Sequence, residues 1–215
     1  QDAYESKREE IITATVAKID PQTGDAVIFT GTGNALLRVS EQIPGEQLTV
    51  GDKIKIYILE VNREEKGPLV TISRAHPGLV RRLFELEVPE IADGTIIIKG
   101  VAREAGSRTK IAVMSREEGV DPVGSCIGNK GARINQILDE LGGEKVDIVR
   151  YSEDMAEYIS SALAPAEIKS VVMVEEKVAH VSVAAEQLSL AIGREGQNAR
   201  LAAHLTGCKG DIKAE

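Results

Sequence analysis

From residue 10 to residue 75 the apolar positions come in short runs bounded by turn residues. "EIITATVAKID" and "DAVIFTG" flank Pro21-Gln22-Thr23-Gly24; "NALLRVS", "DKIKIYILEVNR" and "GPLVTISR" follow, with Gly51-Asp52 ahead of the fourth run. Runs of this kind predict strands. "IKIYILEV" alternates only weakly, so part of that strand is predicted to be buried on both faces. Five strands in about 65 residues predict a small closed barrel, for which the OB-fold is the common five-stranded solution. At His76 the period changes. Leu79, Val80, Leu83, Phe84 and Val88 recur at helical spacing and stop near Pro89. "GTIIIKGVARE" and "RTKIAVMS" then read as strands, and "DPVGSCIG" as a short helix with proline near its start. "ARINQILDELGG" carries Ile134, Ile137, Leu138 and Leu141 on one helical face before a glycine stop, and "KVDIVRYS" closes the unit as a strand.

That order of helix, strand, strand, helix, helix, strand repeats. "DMAEYISSALAP" is a helix ended by proline, "IKSVVMVEE" and "VAHVSVA" are strands, and "EQLSLAIG" and "NARLAAHLTG" are helices before the closing "KGDIKAE". Setting Ile127-Gly128 on Ile192-Gly193 gives an offset of 65 (128 to 193) that also matches Gly131 to Gly196 and Gly142 to Gly207. Asp147-Ile148 matches Asp211-Ile212 after a one-residue slip. The chain thus holds a duplicated module in two copies, a tandem rather than a solenoid. "VRYSEDMAE" between the copies has no glycine or proline, which predicts a fixed mutual orientation rather than a flexible link.

Each copy places Gly-x-x-Gly between two helices, where glycine usually costs about 1 kcal/mol relative to alanine. The second helix of such a joint offers free N–H groups and a partial positive charge at its start. Glycines without Cβ let a bulky anionic chain approach those groups. The middle residues are Asn129-Lys130 in the first copy and Arg194-Glu195 in the second. A single joint of this kind is an ordinary turn. Two of them in matched frames, each with an isoleucine before its first glycine, point to contact with a sugar-phosphate backbone.

Charge enters against this reading at first, because the 215 residues carry a net charge of −8. The distribution is uneven: between Thr95 and Arg116 lie Lys99, Arg103, Arg108, Lys110 and Arg116 against Glu104 alone, while 153–176 is acidic. A basic face on an acidic whole is therefore expected. Aromatics make up 3% of the chain and tryptophan is absent, so the cores are expected to be Val, Ile, Leu and Ala. No apolar run approaches the ~18 residues of a membrane helix, and no export signal opens the chain, which predicts a cytoplasmic protein without membrane contact. A chain beginning with Gln suggests a processed product or excised fragment. Cys126 and Cys208 make neither a metal spacing nor a disulfide framework.

The remaining signals are plain. "TGTGN" at 30–34 lies between strands and reads as a hairpin turn, lacking the third glycine and following helix of a dinucleotide loop. His76, His180 and His204 have no ligand partners at metal spacing, Cys126 reads as a packing residue, and Glu117-Glu118 and Glu175-Glu176 as solvated turns. No nucleophile with its base and no phosphate-binding loop of the nucleotide-hydrolase kind is present, so neither enzyme activity, cofactor nor metal is expected.

"EQIPGE", "EVPEIADGTI", "AREAGSRTKIAV", "DPVGSCIGNKGARI" and "AIGREGQNARLAAHLTG" together resemble the NusA family of bacterial transcription elongation, termination and antitermination factors, over nearly the whole chain. The resemblance implies a multidomain architecture: an all-β five-stranded OB barrel of the S-one type, named from the ribosomal protein, followed by two α+β KH domains of prokaryotic (type II) topology. The implied division is a linker remnant at 1–9, the OB domain at 10–75, the first KH domain at 76–152 and the second at 153–215. Carried over residue by residue, the RNA-binding positions are Ile127, Gly128, Asn129, Lys130, Gly131 and Arg133 in the first copy. In the second they are Ile192, Gly193, Arg194, Glu195, Gly196, Asn198 and Arg200. Lys130, Arg133, Arg194 and Arg200 would meet phosphates, and Ile127 and Ile192 would line apolar grooves for bases. The implied partners are single-stranded RNA, nascent or ribosomal leader, RNA polymerase mainly through an N-terminal domain missing here, and other Nus factors; a monomer is expected. The residues departing from the family pattern are Cys208, where an aromatic is expected, and the few aromatics of the barrel, chiefly Phe29 and Tyr57. Two other readings fit the residues: the KH and OB portion of an RNA-processing enzyme, and an acidic protein-interaction scaffold.

Overall fold

The protein is described by a computed structural model over residues 9–64 and 67–215. The linker expected at 1–9 lies outside the described residues except for Glu9. The alternating runs form β1 (Ile11–Ile19), β2 (Ala26–Phe29), β3 (Asn34–Leu37), β4 (Lys53–Glu64) and β5 (Gly67–Ser73). They pair antiparallel in the order β3-β2-β1-β4-β5. Contacts between β3 and β5 nearly close the sheet into the expected barrel, filled by Val16, Ile28, Leu37, Ile56, Ile58 and Ile72. Ile56, Tyr57 and Ile58 are all buried, so β4 is two-sided there as its weak alternation predicts. Ile56 and Ile58 fill the barrel; Tyr57 points into the next unit's core.

The first α/β module comprises α1 (Pro77–Glu87), α2 (Pro89–Ala92), β6 (Ile96–Glu104), β7 (Arg108–Ser115), α3 (Pro122–Ile127), α4 (Ala132–Leu141) and β8 (Lys145–Arg150). Only α2 departs from the predicted order. Pro89 ends α1 but also sits at the first position of a new turn, where its missing N–H costs nothing. The second module comprises α5 (Met155–Ala162), β9 (Ser170–Glu175), β10 (Val178–Val183), α6 (Leu188–Ile192), α7 (Gln197–Thr206) and β11 (Lys209–Ala214). Both sheets pair the first two strands antiparallel and the last strand parallel to the middle one. His76, Asp121 and Asp154 cap α1, α3 and α5 through side-chain acceptors.

The units are joined by buried contacts. At the barrel end Tyr57 stacks on His76, with ring centroids 4.9 Å apart, and occupies the space that a Cβ on Gly78 would need. Tyr57, one of the two barrel aromatics considered for base stacking, is therefore 7% exposed and packed between units, because its strand faces two cores; Phe29 stays 47% exposed. Arg74, 2% exposed, binds the carboxylates of Glu46 and Glu140 and donates to the Lys55 carbonyl. Between modules, α7 packs on β6 and β7, and Ala112 and Val149 of the first sheet belong to the second module's core. Lys110 donates at 2.8 Å both to Asp147 and to the Ala164 carbonyl of the second module.

These contacts correct the expected basic face. Arg103 is paired with Glu144, both side chains 0% exposed, and Arg108 and Lys110 share Asp147. Lys99 lies 4.8 Å above the Tyr151 ring. Arg116 is the one of the five whose side chain is left exposed without a partner among the described residues. The cations clustered in sequence hold the module together, because acids from the α4–β8 segment meet them across the sheet.

Candidate nucleic-acid interface

The two glycine joints have the same backbone. Gly128 and Gly193 lie at φ 79° and 80° with ψ 173° and 169°, a region that side chains enter only under strain. Lys130 and Glu195 follow at φ 56° and 55°, and Gly131 and Gly196 at 75° in both copies. Each turn closes with a 3.1 Å bond from its last glycine N–H to the carbonyl of its first. The amides of Asn129 and Lys130, and of Arg194 and Glu195, lie ahead of that first internal bond and donate to no backbone carbonyl elsewhere among the described residues. α4 and α7 begin directly behind, with their positive ends at the joint.

What surrounds the joints is asymmetric. Ile127 and Ile192, 39% and 37% exposed, flank the first glycines as apolar surface. The side chains of Lys130 and Arg194 are exposed and have no hydrogen-bond or ion-pair partner among the described residues. Arg133 is engaged: it donates to Glu90 at 2.6 Å and to the Ser125 carbonyl at 2.7 Å, and Arg133 holds the Glu90 carboxyl below its usual range. Arg200 is engaged across the module boundary, with two 2.8 Å bonds to Glu104, whose carboxyl it likewise holds down. Its remaining nitrogen braces the second loop by donating to the Glu195 carbonyl at 3.0 Å. Asn198, 2% exposed, donates to the Leu163 and Ala191 carbonyls and lies in the interior.

The structure thus brings Gly128–Gly131 and Gly193–Gly196 to the surface with the exposed Lys130 and Arg194, engages Arg133 with Glu90 and the still half-exposed Arg200 with Glu104, and buries Asn198. Glu90 and Glu104, which set those arginines, were not legible: each lies more than 40 residues from its arginine, with no local pattern to mark it. The described residues include no cluster able to hold a metal and no helix long and apolar enough to cross a membrane.

Two α/β modules of this strand and helix order, each with a glycine-framed turn between its last two helices, define a tandem KH protein, here behind an OB-type barrel. Family models for a NusA-like first KH domain and a NusA-like second KH domain match residues 74–151 and 155–215. The transcription termination/antitermination protein NusA of Halalkalibacterium halodurans is 53% identical over 97% of this chain and 54% of its own length. Its counterpart in Bacillus subtilis is 51% identical over 97% of the chain and 56% of its length, and that of Mycobacterium tuberculosis 46% over 98% and 63%. The chain belongs to the NusA family. It spans little more than half the length of the first two of these relatives, whose name is that of a transcription factor and not of an enzyme.

Proposed function

We propose that the chain is an RNA-binding portion of a transcription factor, which captures nascent single-stranded RNA on its two KH modules and so modulates polymerase pausing, termination and antitermination. The observation that carries this reading is the identical backbone of two surface loops held in fixed relation by buried contacts. Gly128–Gly131 and Gly193–Gly196 offer amides to phosphates, Lys130 and Arg194 supply charge, and Ile127 and Ile192 give apolar surface to bases. Arg133, Asn198 and Arg200 act from behind, as positioning residues. RNA polymerase and other Nus factors are the proposed protein partners, the cytoplasm the proposed location and a monomer the proposed state. The division into units at 10–75, 76–152 and 153–215 belongs to the same proposal.

The test replaces Asn129-Lys130 or Arg194-Glu195 with Asp-Asp and titrates single-stranded RNA. Affinity is expected to fall at least tenfold, about 1.4 kcal/mol or more, with melting temperature near wild type. Unchanged affinity in both variants refutes the assignment of the loops.

A further inference from the structure

The two glycine loops share a shape and differ in charge. Lys130 and Glu195 hold the same place in the 65-residue offset, at φ 56° and ψ 29° in the first loop and φ 55° and ψ 26° in the second. Both side chains are exposed. The isoleucines ahead of the glycines are almost equally open, and α4 and α7, ten residues each, bring the same positive helix end to the turn. Backbone and apolar surface therefore do not rank one loop above the other; the charged side chains do.

In the first loop Lys130 stands beside a closed pair, Arg133 with Glu90. In the second, Arg194 stands beside Glu195, and Arg200 is bound to Glu104. Glu104 first, and the Glu195 carboxylate after it, push the Arg200 pKa up, so that guanidinium already answers two acids. Lys130 and Arg133 against Glu90 leave one positive charge, whereas Arg194 and Arg200 against Glu195 and Glu104 leave none. In water, one exposed charge about 6 Å from a phosphate changes affinity about threefold, and reversing its sign about tenfold.

We propose that Glu195 ranks the two loops: it weakens phosphate binding at the second, so that the first loop anchors the RNA and the second releases it first. The proposal rests on the loop reading above and assigns each loop its part in it. The brace of the second loop does not need the acid, because Arg200 Nη1 donates to the Glu195 carbonyl, at 3.0 Å, and not to its carboxylate. Lysine is already housed in this backbone conformation at 130 and glutamate at 195, so exchanging them asks neither loop for a new shape.

The test follows backbone amides of the ¹⁵N-labelled chain against random-sequence RNA of about four nucleotides, the span of one loop, so that neither a bridging strand nor a base preference hides the difference. In wild type Gly128–Gly131 should reach half their shift at about three- to tenfold less RNA than Gly193–Gly196. Glu195→Lys should lower the second midpoint about tenfold and Glu195→Gln about threefold, while Lys130→Glu should raise the first about tenfold, all with melting temperatures near wild type. Over a salt series Glu195→Lys should also steepen the log–log slope at the second loop by about 0.7. A wild-type second midpoint at or below the first, or one that both Glu195 variants leave in place, refutes the ranking while the loops stand as RNA contacts. If neither loop shifts with the short RNA or with one of about ten nucleotides, enough for both loops, the loop reading itself has failed.

Discussion

The demand for glycine differs between the two ends of each loop, and Gly193→Ala against Gly196→Ala measures it. At φ 80° and ψ 169°, Gly193 sits where a side chain carries about 1–3 kcal/mol of strain. A Cβ there would lie 2.7 Å from the Asn198 nitrogen and 2.8 Å from its Cβ. Asn198 cannot retreat, because its amide is bonded to Leu163 and Ala191 in the interior, so the collision adds about 1 kcal/mol or more. The sum is about 3 kcal/mol. Gly196, at φ 75° and ψ 11°, has ordinary left-handed backbone, and a Cβ would meet nothing nearer than an Arg200 nitrogen at 3.9 Å. Its replacement should cost only about 1 kcal/mol. At about 2–4 °C per kcal/mol for a chain of this size, thermal unfolding followed by circular dichroism should drop by about 6–12 °C for Gly193→Ala and about 2–4 °C for Gly196→Ala. Equal shifts, or a larger one at Gly196, would refute the steric argument.

Asp147→Asn should destabilise the chain by about 3 kcal/mol in urea unfolding, since it leaves Lys110, 0% exposed, without its counter-charge. Burial pushes the Asp147 carboxyl up, yet Arg108 and Lys110 outweigh it and hold it below the usual range. A native value lowered in this way adds stability above the unfolded value, about pH 3.9, and loses it as pH falls through the native value; wild type should therefore weaken below about pH 4 more steeply than Asp147→Asn. Burial raises the Cys126 thiol to about 12, so iodoacetamide at pH 8 should leave it unmodified in the native protein and label it in urea, by peptide mass.

How far the sequence could be read follows from where each residue finds its partner. The strands, helices and loops rest on local spacing, and a glycine pair recurring 65 positions on is visible without any structure. Pro89 was readable as a stop but not as a restart, because proline serves both at a helix boundary. The run from Lys99 to Arg116 looked basic because charge along a sequence says nothing of which acids the fold brings across; Glu144 and Asp147 lie in α4–β8 and arrive only when β8 pairs with β7. Arg200 and Asn198 follow a glycine loop, where motif reasoning places ligand contacts. Their assignments behind it depend on Glu104, Leu163 and Ala191, whose positions only tertiary packing sets. Tyr57 likewise could not be told from a surface aromatic until β4 was seen to face two cores.

The repeat itself diverges where its surroundings do. Register equates Lys110 with His180 opposite the matched aspartates, and hence Ala112 with Ser182 and Val149 with Lys213. The first sheet's face is covered by α5 and α7, whereas the corresponding face of the second is open at His180, Val172 and Lys213 and carries Ser182 and Lys213 in place of Ala112 and Val149. The substitutions suit a face open to water.

The claim that carries the account is that main-chain amides of both glycine turns meet the RNA. Titrating ¹⁵N-labelled chain with single-stranded RNA and following amide resonances tests it directly. The account predicts that Gly128 to Gly131 and Gly193 to Gly196 shift together, ahead of the barrel and of the β9–β11 sheet. Shifts confined to the barrel or to that sheet, with both turns silent at saturation, would contradict it.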